Sequence, residues 1–475
     1  MKEYDIIIVG AGPGGSMTAK VAAEKGLKTI FFERGRKPGE KNSSGTGLGP
    51  RMFRDFPEIM KQLTPDNCPS MREGKYQRSY FVDKDDKVGA ILVTTPTNSM
   101  TYSPGKNTYD PSKYDKFITM NCYRSEFDPW LAKFATDAGA ELKTHTLIKG
   151  LFKEEGKFAG VIDGKGEKYK APMIIGADGA ISTVAKSAGL RDKWHSEHIT
   201  VVPQYDFHVP KENIDKVMGE ETLAVYWGVN FPAAYQAFFN DGFHLGLGNW
   251  MTYWKHNPMY YVNRVINIPH MKSLIKRLEA KPREVQAHLL PWLPYPKNTH
   301  CDNVILIGDA GGFPCPLEAE GMYPAMVTGK VAAEVAAEAI SAEDYSKAFL
   351  SQYDERWEQT SVGKEFEDGD VLWNVWKALP FHATNMQWFV PLMTEVISAF
   401  FCWSEPHTVR IRQMLSAIKS MLPEAMPTLL EDVLPVLFRV LGDKLDTMLD
   451  PGQMMTAIPK LLNMLPDKKK KRRGS

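Results

Sequence analysis

The sequence lacks the cysteine pairs that a structural zinc site or an iron–sulfur cluster would need. Its five cysteines are scattered, and no two of them have C-x-x-C spacing: Cys68, Cys122, Cys301, Cys315 and Cys402. Neither kind of metal centre is therefore indicated, and scattered thiols fit the reducing cytoplasm.

Net charge and long apolar runs are also missing. The formal net charge is only +1, which implies no broad basic face, so no nucleic-acid partner is expected. No stretch reaches the roughly 20 uncharged apolar residues that a membrane-spanning helix needs. No charged leader with an apolar core precedes the first predicted strand, so we expect a protein that is not secreted.

The most informative feature present is a glycine-rich turn at residues 10–15, which follows an apolar run and precedes a helical run. A second apolar run then ends at Glu33. This order predicts a βαβ dinucleotide-binding unit, in which Gly10 allows the tight turn and Gly12 lets the pyrophosphate approach the backbone. Gly15 lets the helix and strand pack closely, Glu33 is placed to hold a ribose hydroxyl, and the helix N-terminus favours phosphate.

A second glycine-rich stretch, residues 303–312, reads Asn-Val-Ile-Leu-Ile-Gly-Asp-Ala-Gly-Gly. Together, the two stretches predict that the bound dinucleotide is FAD. The chain has no second G-x-G-x-x-G for a nicotinamide nucleotide. The expected electron donor is therefore a protein, with a reduced nucleotide as the alternative.

The pattern of apolar, aromatic and turn residues along the chain predicts an α/β protein. It would have a Rossmann-type FAD-binding domain, an antiparallel-sheet substrate domain and a C-terminal helical region. The predicted FAD-binding domain consists of residues 1–50, 116–200 and 301–345. Residues 51–115 are expected to be substrate-domain and active-site loops with short strands, and residues 201–300 the antiparallel-sheet substrate domain. Residues 346–466 form the helical region, and residues 467–475 a basic tail.

Five elements occur in the order typical of the aromatic-hydroxylase-like FAD superfamily: residues 10–15, 33–47, 124–131, 176–179 and 308–322. Within it the chain most resembles the geranylgeranyl reductases and their relatives, the electron-transfer-flavoprotein:quinone oxidoreductases. The resemblance covers residues 1–345. The C-terminal cysteine-bearing, ferredoxin-like part of the quinone branch is absent from this sequence.

The resemblance implies a cofactor-binding role for particular residues. Glu33 would bind the adenosine ribose, Arg124 would lie near the ribityl–pyrophosphate, and Asp309 would hold the ribityl hydroxyls. Gly321 and Met322 would present backbone amides to the flavin ring. Further implied cofactor contacts are Gly10, Gly12, Gly14, Gly15, Arg34, Ser44, Gly45, Gly47, Ile148 and Asp178. For Arg124, an ordinary surface ion pair is the alternative.

Candidate catalytic residues lie in the loop after the second glycine-rich stretch. Gly311-Gly312 stand where aromatic hydroxylases usually have a histidine, so ring hydroxylation is disfavoured. Glu318 and Glu320 are either proton donors to the substrate or solvated loop acids. Cys315 either contacts the substrate in a redox role or is a small buried residue.

An aromatic segment in the middle of the chain resembles the element over the substrate tunnel of isoprenoid reductases. Its residues are Tyr226, Trp227, Phe231 and Pro232. A row of aromatic residues is more often protein core, and that alternative stays open. As a tunnel, the segment would bind a long lipophilic small molecule.

Residues 380–466 carry apolar helical faces that prolines interrupt. They favour a peripheral site on the cytoplasmic face of a membrane, and a packed helical cap is the alternative. Together, the features predict an FAD-dependent oxidoreductase that reduces a lipophilic acceptor, either an isoprenoid double bond or a quinone-type lipid. The rival hypotheses are an FAD-dependent monooxygenase or halogenase, and a flavoprotein subunit of a membrane-associated electron-transfer complex.

Overall fold

The computed structural model describes residues 2–40, 45–94, 101–103, 106–108, 117, 119–316, 319–367, 369 and 373. Ser44, Glu318, the basic tail and the predicted helices at 380–466 lie outside these residues. In the described part of the chain, no helix is both long enough and apolar enough to cross a membrane.

Strands and helices follow one another in a mixed order. The first half contains β1 (Lys2–Glu3), β2 (Ile6–Val9), α1 (Pro13–Glu24), β3 (Thr29–Phe32), β4 (Gly45–Leu48), α2 (Pro50–Asp55), α3 (Pro57–Met60), β5 (Arg72–Gly74), β6 (Tyr76–Val82), β7 (Val88–Thr94), β8 (Thr101–Ser103), β9 (Lys106–Thr108), β10 (Thr119–Tyr123), α4 (Arg124–Asp137), β11 (Glu141–Lys143), β12 (Ile148–Glu154), β13 (Lys157–Asp163), β14 (Lys168–Lys170), β15 (Met173–Gly176) and α5 (Thr183–Ser187).

The second half continues from the end of α5. It contains β16 (Ile199–His208), α6 (Lys211–Met218), β17 (Glu221–Gly228), β18 (Phe231–Phe238), β19 (Gly242–Leu247), β20 (Asn249–Trp250), α7 (Pro258–Asn267), α8 (Pro269–Leu278), β21 (Lys281–Pro291), β22 (His300–Cys301), β23 (Val304–Leu306), α9 (Gly308–Gly311), α10 (Met322–Ala342), α11 (Lys347–Leu350), α12 (Gln352–Glu358) and α13 (Ser361–Glu367).

A mainly parallel sheet with the order β11-β3-β2-β15-β23-β22 forms the first domain, and its β22 edge is antiparallel. Strands β2, β3 and β15 are buried along their whole length. Apart from Thr29 they carry no polar side chain, because both faces of the sheet are covered. Helices α1, α4 and α10 contribute to the core on one face, and strands β13 and β14 contribute to the core on the other.

A larger sheet, with the order β20-β16-β19-β18-β17-β6-β7 and β21 paired to β16, forms the second domain. One of its faces packs against α6, α7 and α8, through residues such as Ile214, Val262 and Met271. The predicted fold class, α/β with a Rossmann-type FAD-binding domain and an antiparallel-sheet domain, is confirmed. The residue boundaries assigned to each domain stay predictions.

Strands β6 and β7 extend the large sheet, although the sequence suggested mainly loops for residues 51–115. Strand β6 pairs in parallel with β17, which follows it by more than a hundred residues, and Ser79 lies opposite Val225. Local sequence patterns carry no signal for a pairing of such long range. Helices α2 and α3 occupy the start of this segment.

A small sheet, β4-β10-β5, joins the two domains. The side-chain amide of Asn121 in β10 donates to the backbone carbonyls of Thr222 at 2.7 Å and Phe238 at 3.0 Å. These buried hydrogen bonds tie the small sheet to β17 and β18. Strand β4, with its predicted cofactor-binding glycines, is therefore held between the first domain and the large sheet.

Candidate active site

The turn between β2 and α1 has no room for a side chain and exposes backbone groups. Gly10 has φ +106°, and a Cβ there would lie 2.2 Å from the carbonyl oxygen of Ala177. Glycine is therefore required at this position. Helix α1 begins at Pro13 with no side-chain cap and no acidic residue in its first turn. Its amides and the positive end of its dipole are placed to receive an anion.

Glu33 ends the second strand of this unit and is 9% exposed. Its Oε1 accepts a hydrogen bond from the backbone amide of Gly35 at 2.7 Å. Burial raises the pKa of Glu33, while the amides of Gly35 and Ala11 and the charge of Arg34 oppose that rise. Arg34 itself is exposed. The Glu33 carboxylate thus lies beside the glycine turn, with acceptor capacity left for a diol.

Arg124 begins α4 and faces the same turn. Its guanidinium makes two bonds to the fully buried carboxylate of Asp128, at 2.5 and 2.6 Å. A Cβ on Gly12 would lie 3.6 Å from Arg124 Nη2. Burial alone would lower the pKa of Arg124. The negative charges of Asp128 and then of Asp309 together outweigh that effect, so the pKa of Arg124 is raised. The ion pair foreseen as an alternative exists, yet it is buried at the glycine turn and not on the surface.

Asp309 stands in α9, directly after β23. Its Oδ2 lies 3.5 Å from His288 Nε2 of β21, and its Oδ1 would lie 3.1 Å from a Cβ on Gly321. His288 was not singled out from the sequence, because only the pairing of β21 with β16 brings it to the first domain. Glu33, Gly12, Arg124 and Asp309 therefore lie near one another at the carboxyl end of the parallel sheet.

The N-terminus of α10 is already capped by a side chain. Glu320 Oε1 accepts from the amides of Met322 at 2.7 Å and Tyr323 at 2.9 Å. Its Oε2 lies 3.1 Å from Arg51 Nη2, and Arg51 also pairs with Glu365. For Met322 to serve a flavin ring as predicted, its amide would have to leave Glu320.

Backbone hydrogen bonds within the loop before α10 hold Cys315 close to Ala319 and Glu320. Cys315 is 4% exposed, its amide donates to the carbonyl of Glu320 at 2.9 Å, and its carbonyl accepts from Ala319 at 2.9 Å. Ala319 has φ +57°, a conformation that a non-glycine residue adopts at an energetic cost. The catalytic roles of Cys315 and Glu320 stay predictions.

The other predicted cofactor residues fall in three environments. The carboxylate of Asp178 accepts from Ser182 and from the first amides of α5, so its side chain caps that helix while its backbone borders Gly10. Ile148 is buried in the core behind the parallel sheet. Gly45 and Gly47 pair with β10, Gly14 and Gly15 lie in the first turn of α1, and Gly321 precedes α10.

The aromatic segment lies on both faces of the large sheet. Tyr226 and Phe231 are fully buried in the core beneath α7 and α8, where Tyr226 stacks on Tyr80 with centroids 4.8 Å apart. Pro232 is also buried, and Trp227 on the opposite face is half-buried. The packing of Tyr226 and Phe231 matches the core alternative, and their substrate role stays a prediction without support from these contacts.

Known proteins resemble this chain over most of its length. A family model described as FAD binding domain matches residues 3–361. The digeranylgeranylglycerophospholipid reductase of Methanococcus vannielii is 28% identical over 361 residues, which are 75% of this chain and 83% of that protein.

Two solved structures share the fold. A geranylgeranyl bacteriochlorophyll reductase-like protein from Thermoplasma acidophilum has a TM-score of 0.67 at 23% identity, covering 90% of this chain and 99% of that one. A flavin-dependent brominase has a TM-score of 0.60 at 18% identity, covering 88% of this chain and 100% of that one. Because reductase-like and halogenating proteins both have this fold, the fold does not by itself select the chemistry.

Proposed function

The chain belongs to the family described as FAD binding domain, and from this premise we propose that it is an FAD-dependent reductase of carbon–carbon double bonds in the isoprenoid chains of a lipid. The observation that carries the proposal is the cluster of Glu33, Gly12, Arg124 and Asp309 beside the large sheet. The reductase named for digeranylgeranylglycerophospholipid supports the substrate class.

FAD is the cofactor, and the polar groups of the site fit its parts. The Glu33 carboxylate would accept hydrogen bonds from the adenosine ribose. The first turn of α1 and the Arg124 cation would hold the diphosphate, and Asp309 would accept from the ribityl hydroxyls. When bound, FAD supplies a hydride equivalent to the acceptor. The residues orient the cofactor and balance its charge.

The large sheet offers the acceptor an apolar surface next to this site. Half-buried side chains such as Val225, Trp227 and Tyr235 lie on the face opposite α7 and α8. Each CH₂ group of a long chain that leaves water for such a surface contributes about 0.8 kcal/mol to binding. An isoprenoid lipid gains more from this surface than a compact polar substrate would.

The electron donor and the cellular site follow from the same proposal. A protein or a reduced nucleotide would return electrons to the cofactor, and the enzyme would work at the cytoplasmic surface of a membrane. A lipid substrate resides in a bilayer, and the apolar faces in residues 380–466 suit attachment there.

Anaerobic turnover tests the proposal. Protein reduced with dithionite should be reoxidised by a lipid with geranylgeranyl chains, and mass spectrometry should find two added hydrogens for each reduced double bond. The matched control is the same lipid with saturated chains, which should leave the flavin reduced. Reoxidation by a quinone without any hydrogenated lipid would contradict the isoprenoid substrate, and an oxygenated or halogenated product in air would contradict the reductase.

A further inference from the structure

A row of polar side chains crosses the face of the large sheet that is turned away from α6, α7 and α8. Asp206 of β16 lies opposite His244 of β19 and opposite Glu284 of β21. One position along, Gln204 lies opposite Gln286. Directly opposed residues in antiparallel strands share a face. Buried polar groups are unfavourable unless they are paired, so such a row on an otherwise apolar face needs an explanation.

Contacts link this row into a chain. Tyr235 Oη donates to Gln204 Oε1 at 3.1 Å, and Gln204 Nε2 donates to Asp206 Oδ1 at 3.5 Å. His244 Nδ1 lies 3.7 Å from the same carboxyl oxygen. Gly246 stands between Tyr235 and Gln204, where a Cβ would lie 2.6 Å from the tyrosine oxygen. The glycine thus lets the tyrosine reach across β19 to the row.

This face of the sheet borders the cofactor site. His288, which shares the face with Glu284 because they are four residues apart on β21, lies 3.5 Å from Asp309. On the far side, Tyr123 of β10 stacks on Phe239 at 4.1 Å, and a Cβ on Gly242 would lie 3.0 Å from its hydroxyl. Burial raises the pKa of Tyr123, and Asp206 is among the smaller causes.

Burial, and then the neighbours of Asp206, favour its protonated form. Burial raises the pKa of Asp206 to about 7, the Glu284 carboxyl adds to this rise, and Arg283 opposes it. Burial lowers the pKa of His244 to about 3, so the imidazole is neutral at neutral pH and makes no ion pair with Asp206. Burial and the nearby Asp206 also raise the pKa of Tyr235.

Glu320, which the sequence offered either as a proton donor or as a solvated loop acid, makes other contacts. It accepts two backbone hydrogen bonds at the start of α10 and pairs with Arg51. Both contacts favour the ionised carboxylate.

We propose that Asp206 supplies the proton that completes the reduction of the substrate double bond, and that Glu284, exposed on the edge strand β21, returns a proton to it from water. This inference rests on the proposed function. A hydride equivalent from reduced FAD forms a C–H bond at one alkene carbon. The alkene π electrons form the second C–H bond with the Asp206 proton, and the electrons of the broken O–H bond remain on its carboxylate. The alkene is reduced and the cofactor is oxidised.

Infrared spectroscopy tests whether Asp206 holds this proton. Burial also raises the pKa of Glu221 to about 7, so the band of Asp206 is read from the difference between the wild-type and Asp206→Asn spectra. This difference should contain a carboxylic-acid C=O band that is lost as the pH rises through about 7. Tyr235→Phe, which removes only a hydroxyl group, should keep the band and shift its midpoint. Identical titrating bands in the wild type and in Asp206→Asn would overturn the proposal.

Single-turnover kinetics test whether the proton is used. Asp206→Asn should slow lipid-dependent flavin reoxidation by about 100-fold or more and remove its pH dependence near pH 7, while reduction by dithionite stays unchanged. The control Glu212→Gln removes an exposed carboxylate from α6, on the other side of the sheet, and should keep the wild-type rates.

The outcomes separate the two proposals. If Asp206→Asn keeps the wild-type reoxidation rate and pH profile, the donor role of Asp206 is wrong and the reductase stands. If the wild type reduces no isoprenoid lipid, the proposed function fails and takes the donor role with it, whatever the infrared band shows.

Discussion

At the residue scale, Asp206 and His244 have opposite effects on stability over nearly the same pH range. The pKa of Asp206 rises from 3.8 to about 7 on folding, so the folded state binds the extra proton between these values and stability falls as pH rises. The pKa of His244 falls from 6.5 to about 3, so the unfolded state binds the extra proton and stability rises with pH. In the wild type the two slopes largely cancel.

Single substitutions should separate the two contributions to the pH dependence of stability. Asp206→Asn removes the Asp206 slope, so relative to the wild type the free energy of unfolding should increase with pH between about pH 4 and 7. The slope from Glu221, whose pKa burial also raises to about 7, is common to both proteins. His244→Gln leaves the Asp206 slope, so stability should fall from about pH 4 to 7. One proton corresponds to at most about 1.4 kcal/mol per pH unit. Urea titrations across this range measure it, and two variants with parallel pH profiles would contradict the assignment.

The sequence predicts where a residue stands when local context sets its position, while the roles assigned to these residues stay predictions. Gly10 and Glu33 lie within one βαβ unit, so the pattern of strand, turn and helix already defined where each would stand. Asp206, His244 and His288 gave no such signal. Their neighbours come from three strands separated along the chain, and only the register of β16 with β19 and β21 brings them together.

At the scale of elements, the start of α10 depends on one acid. Glu320 satisfies two amides of the first turn and holds Arg51, whose guanidinium also lies 4.5 Å from the centre of the Tyr323 ring. The sequence located the helix by its alanine-rich run. It did not indicate the cap, because a glutamate before a glycine is equally compatible with a solvated loop.

Glu320→Ala should therefore lower the free energy of unfolding by about 0.5–2 kcal/mol, the usual effect of losing an N-terminal cap. Glu320→Gln keeps an acceptor for the amides and should lose less. Glu334→Ala, in the middle of the same helix, serves as the control and should be nearly neutral. Urea denaturation monitored by circular dichroism measures all three, and an alanine variant as stable as the wild type would contradict the capping role.

At the scale of the whole molecule, the proposed cofactor site draws on segments far apart in sequence. Glu33 comes from the first segment, Arg124 from the second and Asp309 from the third. The order of these motifs was enough to predict FAD, since each stands at the carboxyl end of a strand or the start of a helix. The sequence could not place the large sheet against them, because that contact depends on pairings such as His288 with Asp309.

A ligand that bridges these segments should stabilise the fold as a unit. Removal of FAD should lower the thermal midpoint, and FAD added at about 100 times its dissociation constant should restore about 2.7 kcal/mol of stability. FMN offers the ribityl and flavin parts but no adenosine ribose for Glu33, so it should restore only part of the shift. Scanning calorimetry at matched concentrations separates the cases. Equal midpoints with FAD and FMN would mean that Glu33 and the first segment add nothing to binding, and the cluster of Glu33, Gly12, Arg124 and Asp309 would then not be the cofactor site.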